Sequence, residues 1–315
     1  MTKNFHSRLT FLGKGFLALL LLAGLLIPAF SQPPYKTPVI TVMVDELVFP
    51  ESPLWHPDGY ILFSDVHASK IYKFTKEGKM TLWFDNGIKT NGLIYSKDRK
   101  KVYACDHSDK SLIEIDVKTR KYKTLAKEYQ GKPFLNVNDI TLAPNGTLYF
   151  TDPTWSGKTS DIQGIYSYSP KGVLKRAVEL SGQPNGIAVT PDGKWLYVAR
   201  SGGADLWRYS LQPDGTLSKG TCLIQLEKGS SPDGITLDSQ GNIYVAQFGN
   251  NKIAIVSPKG KLIQTFDSPV KLPSNVEFDG SDERILFVTC DGPETKKEGS
   301  VLSFFFYARQ DSPSK

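Results

Sequence analysis

Six similar stretches of this chain each begin on a side chain that carries a carboxylate or an amide: Glu51, Asn91, Asn138, Asn185, Asp233 and Asn275. Glu51 and Asp233 offer two negative charges, and the four Asn offer neutral carbonyl oxygens. Gathered at one point, such groups make a hard, all-oxygen site for one divalent cation. That donor set suits Ca2+ first, then Mg2+ or Mn2+; Zn2+ would lack its usual His or Cys ligands. A plainer account is that Asn and Asp favour the turn before a strand. It explains neither a leading Glu nor six such groups meeting in one place.

Whether they meet depends on the strands that each of them leads. The clearest copy, residues 184–199, reads Pro-Asn-Gly-Ile-Ala-Val-Thr-Pro-Asp-Gly-Lys-Trp-Leu-Tyr-Val-Ala. It contains two short apolar runs around Asp-Gly, which is a hairpin signal. Related copies start at Asp233 and Asn138, and weaker ones at Asn91, Asn275 and Glu51. The lead residues are 40, 47, 47, 48 and 42 positions apart. A period of about 40–50 residues with several strands per unit marks propeller blades. The chain is therefore expected to be all-β, a six-bladed β-propeller, with the leads starting the innermost strands at one mouth of the channel. The last repeat lacks a fourth strand, and the isolated strand at residues 38–47 can supply it, closing the ring without an open edge. The propeller would span residues 38–307, between a Pro-rich lead-in at 32–37 and a polar tail at 308–315 expected to be flexible.

Strand order sorts the loops between two faces. The Gly-containing turns after the first strands (Asp58-Gly59, Asn145-Gly146, Asp192-Gly193, Gln240-Gly241) lie away from the leads, so Asp192 and Asp238 are expected to be solvated turn residues. The lead face would be lined by the residues just after each second strand: Asp65 to His67, Asp106-His107, Asp152 to Trp155, Arg200-Ser201, Gln247-Phe248 and Asp291. Residues 156–163 and 291–299 would be lids. On this wall His107 is an alternative base and Trp155 a pocket residue. Arg200 could grip an anionic substrate. Asn91 and Asn275 would line the pocket rather than bind the ion.

At the N-terminus, Lys3, Arg8 and Lys14 precede an apolar run at residues 16–27 and an Ala-x-Ser exit. This pattern predicts a signal peptide at 1–31 and an exported protein, periplasmic or secreted. An uncleaved anchor is the alternative, although the run is short for a spanning helix. Loss of 1–31 removes three basic residues and no acidic ones, lowering the formal charge from +6 to +3. That balance speaks against nucleic acid and, after cleavage, against a membrane surface as partner. Cys105, Cys222 and Cys290 are too few for a disulfide framework and are expected to be small buried residues. No Gly-x-Ser-x-Gly elbow and no Gly-x-x-x-x-Gly-Lys run occurs. Nothing in the sequence selects an oligomeric state.

Taken together, Glu51-Ser-Pro-Leu-Trp, Asn138-Asp-Ile, Thr151-Asp-Pro, Gln183-Pro-Asn-Gly-Ile-Ala-Val, Pro232-Asp-Gly-Ile and Pro273-Ser-Asn-Val resemble the SMP-30/gluconolactonase/LRE-like family over essentially the whole mature domain. The resemblance implies one divalent cation in the channel and metal-dependent opening of sugar-acid lactones or related esters. It implies metal ligation by Glu51, Asn185 and Asp233, with Asn138 on the metal or the substrate. Ser52 stands where the family commonly has Gly. No Arg appears in residues 132–138, where the family often carries a substrate-contacting one. Asp233 would also orient or deprotonate the attacking water. The rival expectations are a non-catalytic propeller binding a ligand or protein, and a metal-dependent esterase or phosphotriesterase on the same site.

Overall fold

In the computed structural model, residues 35–156, 158, 161–292 and 298–306 are described. The expected signal peptide at 1–31 and tail at 308–315 lie outside them, as do residues 157, 159, 160 and 293–297 within the two expected lids. No α-helix occurs among the described residues, and the longest regular elements are strands of nine residues.

Six four-stranded antiparallel sheets make six blades. Blades 1 to 5 each use four consecutive strands: residues 50–84, 90–126, 140–179, 184–225 and 232–267. In blade 6, Pro273–Asp279, Asp282–Cys290 and Gly299–Phe305 are joined by Val39–Leu47, which pairs antiparallel with Gly299–Phe305 from Val39 against Phe305 to Leu47 against Gly299. The first strands of neighbouring blades touch in cyclic order, blade 6 meeting blade 1. The fold is a six-bladed β-propeller.

The alternation of side chains along a strand builds its cores. In the second strand of blade 1, Leu62 packs toward blade 2 with Leu93, Val102 and Ile113. Its neighbours Ile61 and Phe63 point the other way, to Phe287 and Val301 of blade 6. The same division yields one apolar cluster in each gap between adjacent blades. Each fully buried Leu, Ile or Phe contributes about 1.5–3 kcal/mol there, so the blades are held mainly face to face. Trp55 takes part in the closing gap, and Gly280 lies so close that an added Cβ would sit 2.7 Å from its ring.

Two sequence expectations change. Asp238 is buried, accepting bonds from Gln240 N, Asn242 N and Asn242 Nδ2 at 2.8–2.9 Å, because it caps its own turn instead of facing water. Cys222, on an outer strand, is exposed, whereas Cys105 and Cys290 are buried.

Candidate active site

Four of the lead side chains are aimed by a break in their own strands. In blades 1, 2, 4 and 5 the register between first and second strands slips around the lead residue: between Glu51 and Leu54, Thr90 and Leu93, Pro184 and Ile187, and Pro232 and Ile235. A bulge of this kind bends the strand and redirects a side chain. Ser52 sits in the left-handed region at φ 47°. Its hydroxyl accepts the Leu93 N–H at 2.7 Å, so this serine ties blade 1 to blade 2. A hydroxyl from a neighbouring strand then holds the backbone at or just before a lead. Ser64 Oγ donates to Asn91 O, Thr151 Oγ1 to Asn185 O, Ser201 Oγ to Pro232 O and Ser274 Oγ to Pro50 O, all at 2.8–2.9 Å.

Five of the six leads (Glu51, Asn91, Asn138, Asn185 and Asp233) line one cavity of about 440 Å³. All five are buried, the most exposed being Asp233 at 9%. Asn275 is not on the wall; its Nδ2 donates to Glu51 Oε2 at 3.1 Å, and Ser52 N donates to the same oxygen. Asn185 Nδ2 donates to Ser201 Oγ at 3.0 Å, and the Asn185 side chain also bonds the Asp233 carboxyl. Asn275 thus orients Glu51, and Asn185 orients Asp233.

Electrostatically the cavity asks for a cation. Burial pushes Glu51 up to about 8, with Asp139 and Asp291 adding repulsion. Burial also pushes Asp233 well above the usual carboxylate range, and Glu51 is the next cause. Among the described residues no Lys or Arg lines the cavity to offset these two acids. No cluster of three or more His, Cys, Asp or Glu side chains suited to a metal occurs among the described residues. Any ion here would be held by two carboxylates completed with amide oxygens, a set that fits a hard divalent cation.

The other expected site residues divide. His107 and Trp155 line the cavity. His107 Nε2 lies 3.3 Å from Asn91 Nδ2, and burial lowers its pKa to about 4. It is a neutral ring whose lone pair faces an amide donor. Arg200 is not on the wall. Its Nε and Nη2 meet Asp205 Oδ1 and Oδ2 at 2.7 and 2.5 Å, its Nη1 reaches Ser181 O at 3.1 Å, and it lies 4.7 Å over the Trp207 ring. Its charge is consumed within its own blade. Asp65 and Asp152 also turn away from the cavity. Asp65 accepts Val48 N and Phe49 N, and Asp152 accepts Leu135 N and Asn136 N, at 2.7–3.2 Å. They pin the segments that enter the first strands. Of the remaining lining residues, Phe49, Asn136, Gln183 and Ser231 were not anticipated. Gln183 and Ser231 precede the prolines before Asn185 and Asp233, and both have positive φ, 59° and 42°. The residue-before-proline pattern was a usable signal for them.

Farther along the same first strands lies a second cavity of about 190 Å³, with Asp139 and Glu277 on its wall. Asp139 accepts Ile140 N and Ile187 N at 2.9 and 3.0 Å, and Glu277 accepts Thr236 Oγ1 at 3.2 Å. Burial raises Glu277 to about 7. The unfolded chain loses this proton near the ordinary value of 4.5, so stability falls as pH rises from there to about 7. Glu277→Gln should therefore raise stability by on the order of 1–3 kcal/mol at pH 8, and the gain should vanish at pH 4.5. Denaturant melts at the two pH values check it; an equal change at both would show that the charge is not the cause.

Known proteins share both the sequence pattern and the fold. A family model described as SMP-30/Gluconolactonase/LRE-like region matches residues 49–291. A gluconolactonase from Zymomonas mobilis is 29% identical over 283 residues, covering 79% of this chain and 78% of its own. Two solved structures have the same fold. One is a gluconolactonase from Xanthomonas campestris, with TM-score 0.75 and 20% identity over 87% of this chain and 91% of that one. The other is a calcium-binding protein, regucalcin, from Agrobacterium tumefaciens, with TM-score 0.74 and 21% identity over 86% and 94%.

Proposed function

Because the chain belongs to the SMP-30/gluconolactonase/LRE-like family, we propose that it is a divalent-metal-dependent hydrolase that opens a sugar-acid lactone in the channel cavity. The single observation that carries this reading is the pairing of two buried carboxylates, Glu51 and Asp233, in a cavity with amide walls and no Lys or Arg among its described lining residues. Glu51, Asn185 and Asp233 would hold the ion, with Asn138 beside it on the ion or the substrate; Ca2+ is the first choice, then Mg2+ or Mn2+. When bound, such an ion would polarise the lactone carbonyl and offset the charge that develops on its oxygen.

The protein's own groups account for the rest. Asp233 would take a proton from water as the water oxygen bonds to the carbonyl carbon, the task of a buried carboxylate on the wall that the water must approach. The acyl carbon–ring oxygen bond then breaks, and the proton passes to the departing ring oxygen. The product is the open hydroxy acid. Asn275 and Asn185 keep the two carboxylates in place throughout. His107 holds Asn91 on the wall. The protein is expected to act after export, in the periplasm or outside the cell.

The test follows acid release by the chain from Gln32 onward with a panel of aldonolactones, aryl esters and phosphotriesters. Each is assayed with added Ca2+, with chelator, and with metal restored. Lactone turnover that disappears with chelator and returns with metal is the expected result. Turnover unchanged by chelator would remove the metal from the proposal, and turnover of aryl esters or phosphotriesters alone would replace the substrate.

A further inference from the structure

The wall opposite Asp233 has an organisation of its own. In a ring of six blades, blade 2 stands across the channel from blade 5, so Asn91 lies across the cavity from Asp233. Two histidines also line the cavity. His67 is exposed and packs edge-on against Phe49, with ring centres 4.8 Å apart. His107 lies deeper and meets Asn91. A neutral imidazole has one N–H and one lone pair. Burial keeps His107 neutral, and the one bond that favours its protonated form runs to the Val137 backbone. Of the two backbone groups only a carbonyl does that, so the ring N–H is committed to Val137 O. The lone pair then belongs to Nε2, 3.3 Å from Asn91 Nδ2, and the amide N–H is the donor there. This turns Asn91 with its nitrogen to the ring and its oxygen to the cavity. Asn91 Oδ1 meets no donor among the described residues. Asn185 is turned the same way: its nitrogen serves Ser201 and the Asp233 carboxyl, and its oxygen is left over.

We propose that His107 is a positioning residue: it fixes the Asn91 amide so that Oδ1 accepts a hydroxyl of the bound lactone, on the wall opposite the carboxylate that takes the water proton. The inference rests on the lactonase reading above and adds a substrate contact from blade 2. An amide free to turn presents N–H or C=O to the cavity in either order. The His107 ring removes that choice. Because Val137 precedes Asn138, the ring also ties the lead of blade 2 to the segment that carries the lead of blade 3. An amide oxygen pairs with a hydroxyl hydrogen, not with a carbonyl or ether oxygen. His107 itself has neither a proton nor a lone pair left for the substrate.

The chain has four histidines, so nitrogen NMR of histidine-labelled protein reads the tautomer directly, with His107→Gln assigning the signal. With Ca2+ and without substrate at neutral pH, the His107 ring should be neutral with its proton on Nδ1. A proton on Nε2 would reverse the amide and overturn the inference. In parallel, kcat, KM and the Ca2+ dissociation constant are measured with D-glucono-1,5-lactone for the wild type, Asn91→Ala, His107→Leu and His107→Gln. δ-Valerolactone, the same ring without hydroxyls, is measured as a competitor. Asn91→Ala and His107→Leu should raise KM for the hydroxylated lactone by about threefold or more. Their kcat, Ca2+ affinity and valerolactone inhibition constant should stay within about twofold of the wild type. His107→Gln offers an oxygen to Asn91 and an N–H to Val137 O, and it should recover most of the loss. Weaker Ca2+ binding by Asn91→Ala would make Asn91 an ion ligand, and equal weakening of both lactones would make it a structural residue; either overturns the inference. If the wild type with Ca2+ bound opened no hydroxylated lactone, the lactonase reading would fall and the hydroxyl contact with it, while the tautomer would still decide how Asn91 is turned. The wild-type tautomer and Asn91→Ala decide the matter even if His107→Leu fails to fold.

Discussion

Asp233→Ala should lose bound metal and lactone turnover together, with kcat/KM falling about 1000-fold or more, while the fold persists. Asp233 is one of only two carboxylates among the described residues that line the cavity. Its loss leaves a single buried acid among neutral amides, too little charge to hold a divalent ion against water. The fold should survive because the bonds that position this strand do not use the Asp233 side chain. Ser201 holds Pro232 through the backbone, and Ile235 packs in the gap between blades 4 and 5. Metal content by elemental analysis, kcat/KM, and a thermal melt in chelator separate the outcomes. Asp233→Asn keeps the shape and one oxygen donor, so it should retain weak metal uptake at raised concentration but lose the proton acceptor. An alanine variant with full activity would mean that the chemistry occurs elsewhere. A variant that kept metal but lost turnover would move ligation to Glu51 and the amides and leave Asp233 only the proton.

The sequence showed which side chains would converge but not how they are held. A period of 40–48 residues is visible in one chain, and it places Glu51, Asn91, Asn138, Asn185 and Asp233 together because the first strands of propeller blades all start at one mouth. Asn275 was visible by the same rule, yet its role as a donor to Glu51 required coordinates. Arg200 looked like a free cation on the functional face. Its partner Asp205 stands five residues on, in the facing strand of the same hairpin, a pairing that depends on register. The aspartates after the second strands were legible by type, but a carboxylate that caps backbone N–H groups and one that faces a ligand have the same one-letter code. Asn136 escaped notice because it lies in an irregular entry segment before a short first strand, Ile140–Leu142, outside the repeat that marked the other positions. Trp155 and His107 were found through loop order alone, since the loops after second strands must emerge on the lead face.

The glycines directly after three of the leads should rank by what stands against them. An added Cβ at Gly186 would meet the Asp233 carbonyl oxygen at 2.2 Å, Ile235 N at 2.8 Å and Gly234 Cα at 2.9 Å. All are backbone atoms of the next blade's first strand, which cannot move without parting two blades. Gly186→Ala should therefore destabilise the protein by about 3 kcal/mol or more and reduce turnover by at least about tenfold, since Asn185 and Asp233 sit on the two strands forced apart. At Gly234 the atoms in the way belong to the Asn275 side chain, 2.1 Å from an added Cβ. That side chain can swing aside, at the cost of its bond to Glu51 Oε2. Gly234→Ala should then lose less stability than Gly186→Ala while still weakening metal uptake. At Gly92 the contacts are longer, 2.8 Å to Asn138 O and to Asp139 Cα, and the effect on stability should be smaller than at Gly186. Denaturant melts and metal titrations on the three variants test the order. If Gly186→Ala melted with the wild type and kept its activity, the strands would be free to adjust, and close packing of first strand on first strand would not be what aims the carboxylates.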